Sequence, residues 1–282
     1  YGTVFTLAES PLRPGLLWAG SDDGLVHVSR DAGGSWDKVT PAGMPELGLC
    51  SMVEPSHFKP GTAYLAVDNH ENDDHKPYIY ITRDFGKTWR NAVDGLPDNA
   101  FVRVVREDPA REGLLYAGTE IGLFISFDGG AHWQNFNLNL PLTPIHDLAL
   151  KENDLIAATH GRGFWVLDDL TPIHQMWSAD PAKARLFEPR DAYRVNWGGG
   201  GGGGRRRGTG GGPTAMGQNA PSGILANYFV PAKTEGVKFE LVDADGTVAA
   251  RAEVTGEPGM NRVSLSPRFP GYRSVPGMIF WG

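Results

Sequence analysis

The sequence predicts an all-β protein, and three observations support this prediction. The chain has 282 residues with 38 Gly, 21 Pro and 10% aromatic residues, a composition that disfavours helices and suits pleated, half-buried surfaces. Short apolar segments recur between turn residues. An eight-residue pattern appears three times in the first half of the chain. A helical bundle is therefore disfavoured, and no apolar run approaches the ~20 residues of a membrane-spanning helix.

The repeated octapeptide has the pattern Ser/Thr-x-Asp-x-Gly-x-x-Trp and occupies residues 29–36, 82–89 and 126–133. Its shared positions are Ser29, Asp31, Gly33 and Trp36, then Thr82, Asp84, Gly86 and Trp89, then Ser126, Asp128, Gly130 and Trp133. The pattern predicts a hairpin turn in which Asp accepts hydrogen bonds from turn N–H groups and Gly adopts a positive φ. We expect each Trp to bury its ring between neighbouring units.

Each octapeptide closes a larger unit that opens with two predicted strands. The predicted first strands are Val4–Ala8, Ser51–Glu54, Val102–Arg106 and Ile145–Leu150. The predicted second strands are Leu16–Gly20, Ala63–Val67, Leu114–Gly118 and Leu155–Thr159. The fourth unit continues into Gly163–Asp168 and lacks the octapeptide. Three or four short strands in about 45 residues are typical of a β-propeller blade, so residues 1–172 are predicted to form about four blades.

The octapeptides resemble the Asp-boxes, or BNR repeats, of sialidase-like propellers. The strings at 159–169 and 76–80 resemble more closely the large bacterial proteins grouped with sortilin-like and xyloglucanase-like propellers. This resemblance implies a propeller followed by an immunoglobulin-like domain, within a longer protein that is extracellular or periplasmic. In that superfamily the boxes are structural and lie away from the active site, so they indicate the fold and not the function.

The second half of the sequence predicts a connecting segment and then a β-sandwich. Residues 173–218 hold a predicted strand, Leu186–Trp197, and a linker with seven consecutive glycines from Gly198 to Gly204. Within residues 219–282, Asp245-Gly246 separates two alternating runs, which is a strong hairpin signal. We expect an immunoglobulin-like β-sandwich here, truncated at its C-terminal end.

The charge is unevenly distributed between the two halves. Residues 1–172 carry 13 Lys and Arg against 24 Asp and Glu, whereas residues 173–282 carry 13 against 9. The acidic half argues against a nucleic-acid partner, because phosphates require a basic surface. Arg205, Arg206 and Arg207 could contact an acidic surface, although a solvated cluster in a flexible linker is the simpler interpretation. The single cysteine, Cys50, excludes an internal disulfide.

A polar loop after the second strand of the second unit contains the most concentrated set of ligand-type side chains. Residues 68–75 include four carboxylates and two histidines, with His70, Asp74 and His75 as the candidate metal ligands. Such side chains bind Ca²⁺ or a transition metal. The spacing lacks the glycine and terminal glutamate of an EF-hand, so a loop whose acids cap turns is the alternative. No cofactor motif is present.

Loops after second strands also carry the candidate catalytic carboxylates. These are Asp22, Asp23, Asp68, Asp73, Asp74 and Glu120. Glycoside hydrolysis needs two facing carboxylates, about 5–5.5 Å apart for retention or 6.5–9.5 Å for inversion, so the shared loop position permits this chemistry. A sialidase would also need an arginine cluster and a Tyr nucleophile. Arginines occur along the first half, but no Phe/Tyr-Arg-Ile-Pro motif accompanies them.

Two functions from different classes follow from these observations. The first is a non-catalytic binding or scaffold module for a protein or carbohydrate partner. His160, Arg162 and the Arg205–Arg207 cluster are its further binding candidates. The remaining blades of a longer chain, or the subunits of a larger assembly, are the other partners expected. The second is a glycoside hydrolase of the xyloglucanase-like or sialidase-like propeller type. The hydrolase requires two facing carboxylates of suitable separation in a groove, whereas the binding module does not.

Overall fold

The structure is a computed structural model that describes residues 2–176, 180, 182–191 and 223–265. The chain divides into two compact units, residues 1–170 and 171–282. Strands, turns and loops make up nearly all of the described residues, which confirms the predicted all-β class. In the same ranges, no helix is both long enough and apolar enough to cross a membrane.

The first unit is built from four successive antiparallel sheets, which are blades of a β-propeller. Blade 1 contains β1 (Val4–Glu9), β2 (Leu17–Ser21), β3 (Val26–Ser29) and β4 (Asp37–Lys38). Blade 2 contains β5 (Leu49–Pro55), β6 (Ala63–Asp68), β7 (Tyr78–Thr82) and β8 (Arg90–Asn91). Blade 3 contains β9 (Val102–Glu107), β10 (Leu115–Thr119), β11 (Gly122–Ser126) and β12 (Gln134–Asn135). Blade 4 contains β13 (Ile145–Lys151), β14 (Asp154–Thr159) and β15 (Phe164–Leu167).

Within each blade, neighbouring strands in the chain are also neighbours in the sheet, and all pairs are antiparallel. Each first strand therefore begins at the edge where the second strand ends. We call this the upper edge, and it carries the loops between second and third strands. The opposite, lower edge carries the octapeptides, which link third and fourth strands. The octapeptides and the candidate carboxylates thus lie on opposite edges.

The octapeptide forms the predicted hairpin turn. In blade 2, Asp84 accepts hydrogen bonds from the Thr88 amide (2.9 Å) and from the Thr82 hydroxyl (2.9 Å). Gly86 has a φ of +81° and donates its N–H to the Thr82 hydroxyl at 2.8 Å. The same arrangement in blade 1 lowers the pKa of Asp31 to about 2, chiefly through hydrogen bonds from Ser35. The ionised Asp therefore organises the turn.

Trp89 and Trp133 each attach their blade to the preceding blade. The Trp89 indole N–H donates to the Val39 carbonyl at 2.7 Å, and its ring meets Trp18 edge-on at 6.2 Å. The Trp133 indole N–H donates to the Ala92 carbonyl at 2.8 Å, and the side chain is only 1% exposed. A buried indole with a satisfied N–H combines a large apolar area with a fixed orientation. The expected burial between blades is confirmed for Trp133, whereas Trp89 packs on the preceding blade and is partly buried.

For Trp36 the expected burial is wrong, because this side chain is 41% exposed. Trp36 occupies the same octapeptide position as Trp89 and Trp133. In blades 2 and 3 that position packs on the blade before it, whereas blade 1 is the first blade of the described residues. The octapeptide thus specifies the direction in which the ring points, while burial requires a neighbouring blade.

Cys50 lies at the upper end of β5 and is fully buried. Burial raises the pKa of its thiol to about 12. Its protonated thiol packs between blades 1 and 2 with Val53 and Leu65, as expected for an inert buried cysteine.

Two charged networks add polar links between blades 2, 3 and 4. The buried carboxylate of Glu107 accepts hydrogen bonds from the Ser56 hydroxyl, the His57 amide and the Tyr64 hydroxyl, each at 2.7 Å. On the same strand, the Arg106 guanidinium binds a carboxylate on each neighbouring blade, Glu54 on blade 2 at 2.8 Å and Asp147 on blade 4 at 3.1 Å. Since these groups are partnered across blades, they fix how one sheet is turned against the next.

The second unit contains a short helix and two antiparallel sheets. Its elements are α1 (Thr171–Met176), β16 (Arg185–Leu186), β17 (Ile224–Val230), β18 (Thr234–Val242), β19 (Val248–Gly256) and β20 (Gly259–Leu265). One sheet has the order β16-β17-β20 and the other pairs β18 with β19. Apolar side chains from both sheets form one cluster that includes Tyr228, Phe239 and Val263.

The Asp245-Gly246 hairpin is confirmed between β18 and β19, where Gly246 has a φ of +81°. The predicted strand from Leu186 to Trp197 is wrong for residues 187–191, because β16 ends at Leu186. The Phe187 amide still donates to Asn227, but Pro189 has no N–H with which to continue the ladder. Residues 192–222, which include the seven consecutive glycines and the three consecutive arginines, lie outside the described ranges.

Alanine substitution of the octapeptide tryptophans separates local turn formation from blade packing. We expect Trp133→Ala to lower the free energy of unfolding of the first unit by about 3–5 kcal/mol, because it removes a fully buried ring and its hydrogen bond. Trp36→Ala is the matched control and is expected to cost less than about 1 kcal/mol. Urea unfolding followed by fluorescence measures both. Equal losses in the two variants would contradict this account of the packing.

Candidate functional site

The upper edge of the blades carries all six candidate carboxylates. Asp22 and Asp23 lie between β2 and β3, Asp68 ends β6, Asp73 and Asp74 follow it, and Glu120 follows β10. The binding candidates His160 and Arg162 follow β14 at the same edge. These side chains share an edge, but only some of them are brought together, as the contacts below show.

Asp68, which is buried, forms a dyad with the partly exposed His70. Its carboxylate is only 3% exposed and lies 2.6 Å from the His70 Nδ1 atom. The His70 backbone N–H also donates to the same carboxylate oxygen at 3.0 Å. A 3₁₀ turn, His70–Asn72, directly after β6 produces this geometry. The imidazole is therefore held in one orientation by a buried carboxylate.

Arg103 bridges Asp68 and Glu120, which come from different blades. One terminal nitrogen lies 3.5 Å from Asp68 and the other lies 3.0 Å from Glu120. The guanidinium also lies 4.9 Å from the centre of the Phe101 ring, which stacks against His70 at 4.7 Å and 11°. Phe101 therefore forms the apolar support of the cluster, and its contact with a planar cation is favourable.

His146 and His160 extend this cluster on blade 4. Their rings meet edge-on at 4.9 Å. The pKa of His146 is lowered by loss of solvent around its ring and then by the electrostatic effects of the Arg103 and His160 side chains, which outweigh the opposing effect of nearby carboxylates. His146 is therefore neutral near pH 7 and can donate or accept a hydrogen bond.

The remaining candidate carboxylates serve the loops in which they lie. Asp22 accepts a hydrogen bond from the Thr3 amide at 2.7 Å, and this bond is the main cause of its lowered pKa. Asp23 accepts a hydrogen bond from the Ser21 hydroxyl. Asp73 is fully exposed. These three carboxylates are not joined to the Arg103 cluster by any contact in the described residues.

The candidate metal ligands His70, Asp74 and His75 do not converge on one point. Asp74 accepts hydrogen bonds from the Tyr78 hydroxyl (2.7 Å) and the Asn69 amide (3.1 Å), which tie the loop to the next strand. In the part of the chain that the structure describes, no group of three or more His, Cys, Asp or Glu side chains is arranged to hold a metal ion. The interpretation of this loop as a Ca²⁺ or transition-metal site is therefore not supported, and turn capping by Asp74 accounts for it.

A cleft of about 300 Å³ opens between blades 1 and 2 at the upper edge. Its walls combine exposed apolar side chains with carboxylates: Phe5, Leu47, Asp22, Glu71 and the Asp68–His70 dyad. Such a lining matches a ligand group with an apolar stem and a positive or hydrogen-bonding end.

Sequence reasoning did not identify Phe101, Arg103 and His146 as parts of one site. All three lie at or just before the start of a first strand, on the edge where the second strands end. An alignment of the repeats could have placed Arg103 and His146 at equivalent positions. Each directly follows the first residue of a first strand, Val102 in blade 3 and Ile145 in blade 4, and both of these residues are buried. The Arg205–Arg207 cluster lies outside the described residues.

Comparisons with known proteins found matches among solved structures only. No protein-family model and no curated protein sequence matches the chain. Among solved structures, YCF48 bound to D1 peptide has a TM-score of 0.46 and 16% identity, covering 59% of this chain and 52% of that one. The GH74 xyloglucanase from Xanthomonas campestris has a TM-score of 0.46 and 20% identity, covering 58% and 28%. YCF48 from Cyanidioschyzon merolae has a TM-score of 0.43 and 14% identity, covering 98% and 85%.

Histidine titration tests the electrostatics of the upper edge. We expect the pKa of His146 to lie below 6.5 and that of His57, whose lower-edge ring pairs with Glu54, to lie above 6.5. Protonation of His146 therefore destabilises the folded state as the pH falls below about 6.5, whereas His57 contributes stability that is lost as the pH rises through its folded pKa. NMR titration of the imidazole protons measures both values.

The variant His160→Gln provides the control for this titration. It removes the electrostatic effect of the His160 ring, which lowers the pKa of His146, so that pKa should rise toward its ordinary value while that of His57 stays unchanged. A pKa of His146 higher than that of His57 would contradict the described contacts. A change in the pKa of His57 in the His160→Gln variant would contradict them as well.

Proposed function

We propose that the chain is a non-catalytic binding module whose upper edge binds a polypeptide through a basic side chain. The observation that carries this proposal is the cleft between blades 1 and 2, where carboxylates stand beside exposed apolar walls. A Lys or Arg side chain fits such a lining, because its aliphatic stem contacts apolar groups while its charged end pairs with a carboxylate.

The charge of the first half supports a basic partner. Residues 1–172 carry 24 Asp and Glu against 13 Lys and Arg, so the blades attract cations and repel anions at long range. Glu71 is exposed at the mouth of the cleft, where a ligand can reach it. The Asp68–His70 dyad supplies a hydrogen-bonding group at the same cleft. A carbohydrate partner would use the same hydrogen-bonding groups but would gain nothing from the excess negative charge.

Glycoside hydrolysis is the second candidate function, and the convergence of Asp68 and Glu120 favours it. In a glycosidase, two carboxylates flank the bond to be cleaved. Here the guanidinium of Arg103 bridges the two, within 3.5 Å of one and 3.0 Å of the other. A substrate would have to displace this arginine to reach both carboxylates, so binding without cleavage is the better supported function.

We also propose that the octapeptides are Asp-boxes and that the second unit is immunoglobulin-like. The proposal for the boxes is supported by the turn hydrogen bonds of Asp31, Asp84 and Asp128. The proposal for the second unit is supported by two antiparallel sheets that share an apolar cluster.

Peptide binding with matched variants tests the proposed function. We expect a Lys-containing peptide to bind more tightly than the same peptide with Gln in place of Lys, with affinity that falls as salt is added. Glu71→Gln should weaken binding about fivefold, which corresponds to about 1 kcal/mol for one exposed charge pair. The control is Glu112→Gln, an exposed lower-edge glutamate that pairs with Lys59. Calorimetry or fluorescence anisotropy measures the affinities.

Equal affinity for the Lys and Gln peptides, or equal effects of Glu71→Gln and Glu112→Gln, would overturn the proposal. Release of reducing sugar from a soluble β-glucan or xyloglucan that is abolished by both Asp68→Asn and Glu120→Gln would favour hydrolysis instead.

A further inference from the structure

The contact between His70 and Asp68 determines which nitrogen of the His70 ring carries a proton. The Nδ1 atom lies 2.6 Å from one carboxylate oxygen of Asp68, and the same oxygen accepts the His70 backbone N–H at 3.0 Å. A carboxylate accepts hydrogen bonds and does not donate them, so the ring proton must lie on Nδ1. A neutral imidazole has one ring proton, and its other nitrogen, Nε2, is therefore a hydrogen-bond acceptor.

The direction of the His70 ring is fixed by groups of blades 2 and 3, each of which has a neighbouring blade on both sides. Phe101 stacks on the ring at 4.7 Å with 11° between the planes. A terminal nitrogen of Arg103 lies 3.5 Å from the second oxygen of Asp68, which leaves the first oxygen to His70. Turning the ring over would place a carbon atom against that oxygen and lose the hydrogen bond. Nε2 therefore keeps one direction.

The Nε2 atom of His70 is available to a ligand in the cleft between blades 1 and 2. His70 lines this cleft with Phe5, Leu47 and Glu71, and its side chain is 33% exposed. Among the described residues, Nε2 has no hydrogen-bond partner and is not buried. A ligand N–H group would gain a hydrogen bond to its lone pair. A carbonyl or carboxylate oxygen would meet that lone pair with its own and would be disfavoured.

We propose that His70 determines the specificity of the cleft, because its Nε2 atom accepts a hydrogen bond from the charged N–H group of a ligand Lys or Arg side chain. The inference rests on the proposed binding of a basic polypeptide and deepens it. Glu71 attracts any cation, whereas Nε2 distinguishes a cation that has an N–H from one that has none. The cleft therefore favours unmodified lysine over fully methylated lysine. Phe101 is a positioning residue, since it acts through the His70 ring.

Trimethylation of the ligand lysine tests the proposal, because it removes every N–H and keeps the positive charge and the aliphatic stem. At about pH 8, where an ordinary imidazole is neutral, the trimethylated form of the Lys peptide should bind the full chain about tenfold more weakly than the unmodified form. His70→Phe keeps a ring against Phe101 and removes both nitrogens, so in this variant the two forms should differ less than about twofold. Calorimetry measures the four affinities.

The matched control is His75→Phe. The His75 ring also meets Phe101, at 5.7 Å, but is not part of the cleft lining. This variant should therefore keep the full difference between the unmodified and trimethylated peptides. Loss of the difference in His75→Phe as well as in His70→Phe would contradict the role of His70.

The tautomer of His70 can also be measured on the unmodified chain without a peptide. Imidazole nitrogen chemical shifts, recorded by NMR at about pH 8, should show a proton on Nδ1 of His70 and none on Nε2. A proton on Nε2 would overturn the proposal.

The outcomes separate this inference from the proposed function. Suppose that the Lys peptide binds more tightly than the Gln peptide and that trimethylation has no effect. The proposed function would then stand, and the selection by His70 would be wrong. Equal affinity for the Lys and Gln peptides would overturn both.

Discussion

The packing of each blade against the one before it is the interaction on which the first unit depends. A single antiparallel sheet of three or four short strands has two apolar faces and cannot bury both by itself. In this chain the octapeptide turns Trp89 and Trp133 onto the preceding blade, where each indole N–H reaches a backbone carbonyl. The apolar residues of the first strands complete the contact. The free energy that stabilises each blade therefore comes largely from its contact with the neighbouring blade.

This packing also creates the candidate site. Asp68 belongs to blade 2, Arg103 and Glu120 to blade 3, and His146 to blade 4, so the cluster exists only when three blades are held at fixed angles. The networks around Arg106 and Glu107 hold the same blades together away from the upper edge. A binding surface built in this way is rigid, because its position is set by sheets and not by the loops alone. The octapeptides lie on the lower edge, on the opposite side of the blades from this site.

The fold could be predicted from the sequence to the extent that its determinants are local. The octapeptide turn is made within eight residues, and similar apolar strands precede each copy, so both could be predicted. The site depends on angles between blades, which no local pattern encodes: Arg103 meets Asp68 across a blade boundary. Trp36 shows the same limit, since its motif fixes the direction of the ring while its burial depends on a neighbouring blade. In the second unit, the strand predicted from Leu186 onward does not continue past Leu186, and Pro189 lacks the N–H that a longer strand would need.

Hydrogen exchange at the tryptophan indoles tests the central claim most directly. The measurement is the exchange rate of the Nε1 protons of Trp36, Trp89 and Trp133, observed by NMR under conditions where the chain is monomeric and assigned with single Trp→Phe variants. Because Trp89 and Trp133 donate to carbonyls of the preceding blade, their protons should exchange much more slowly than that of the exposed Trp36. Similar rates for all three protons would contradict the account in which blade-on-blade packing holds the propeller together.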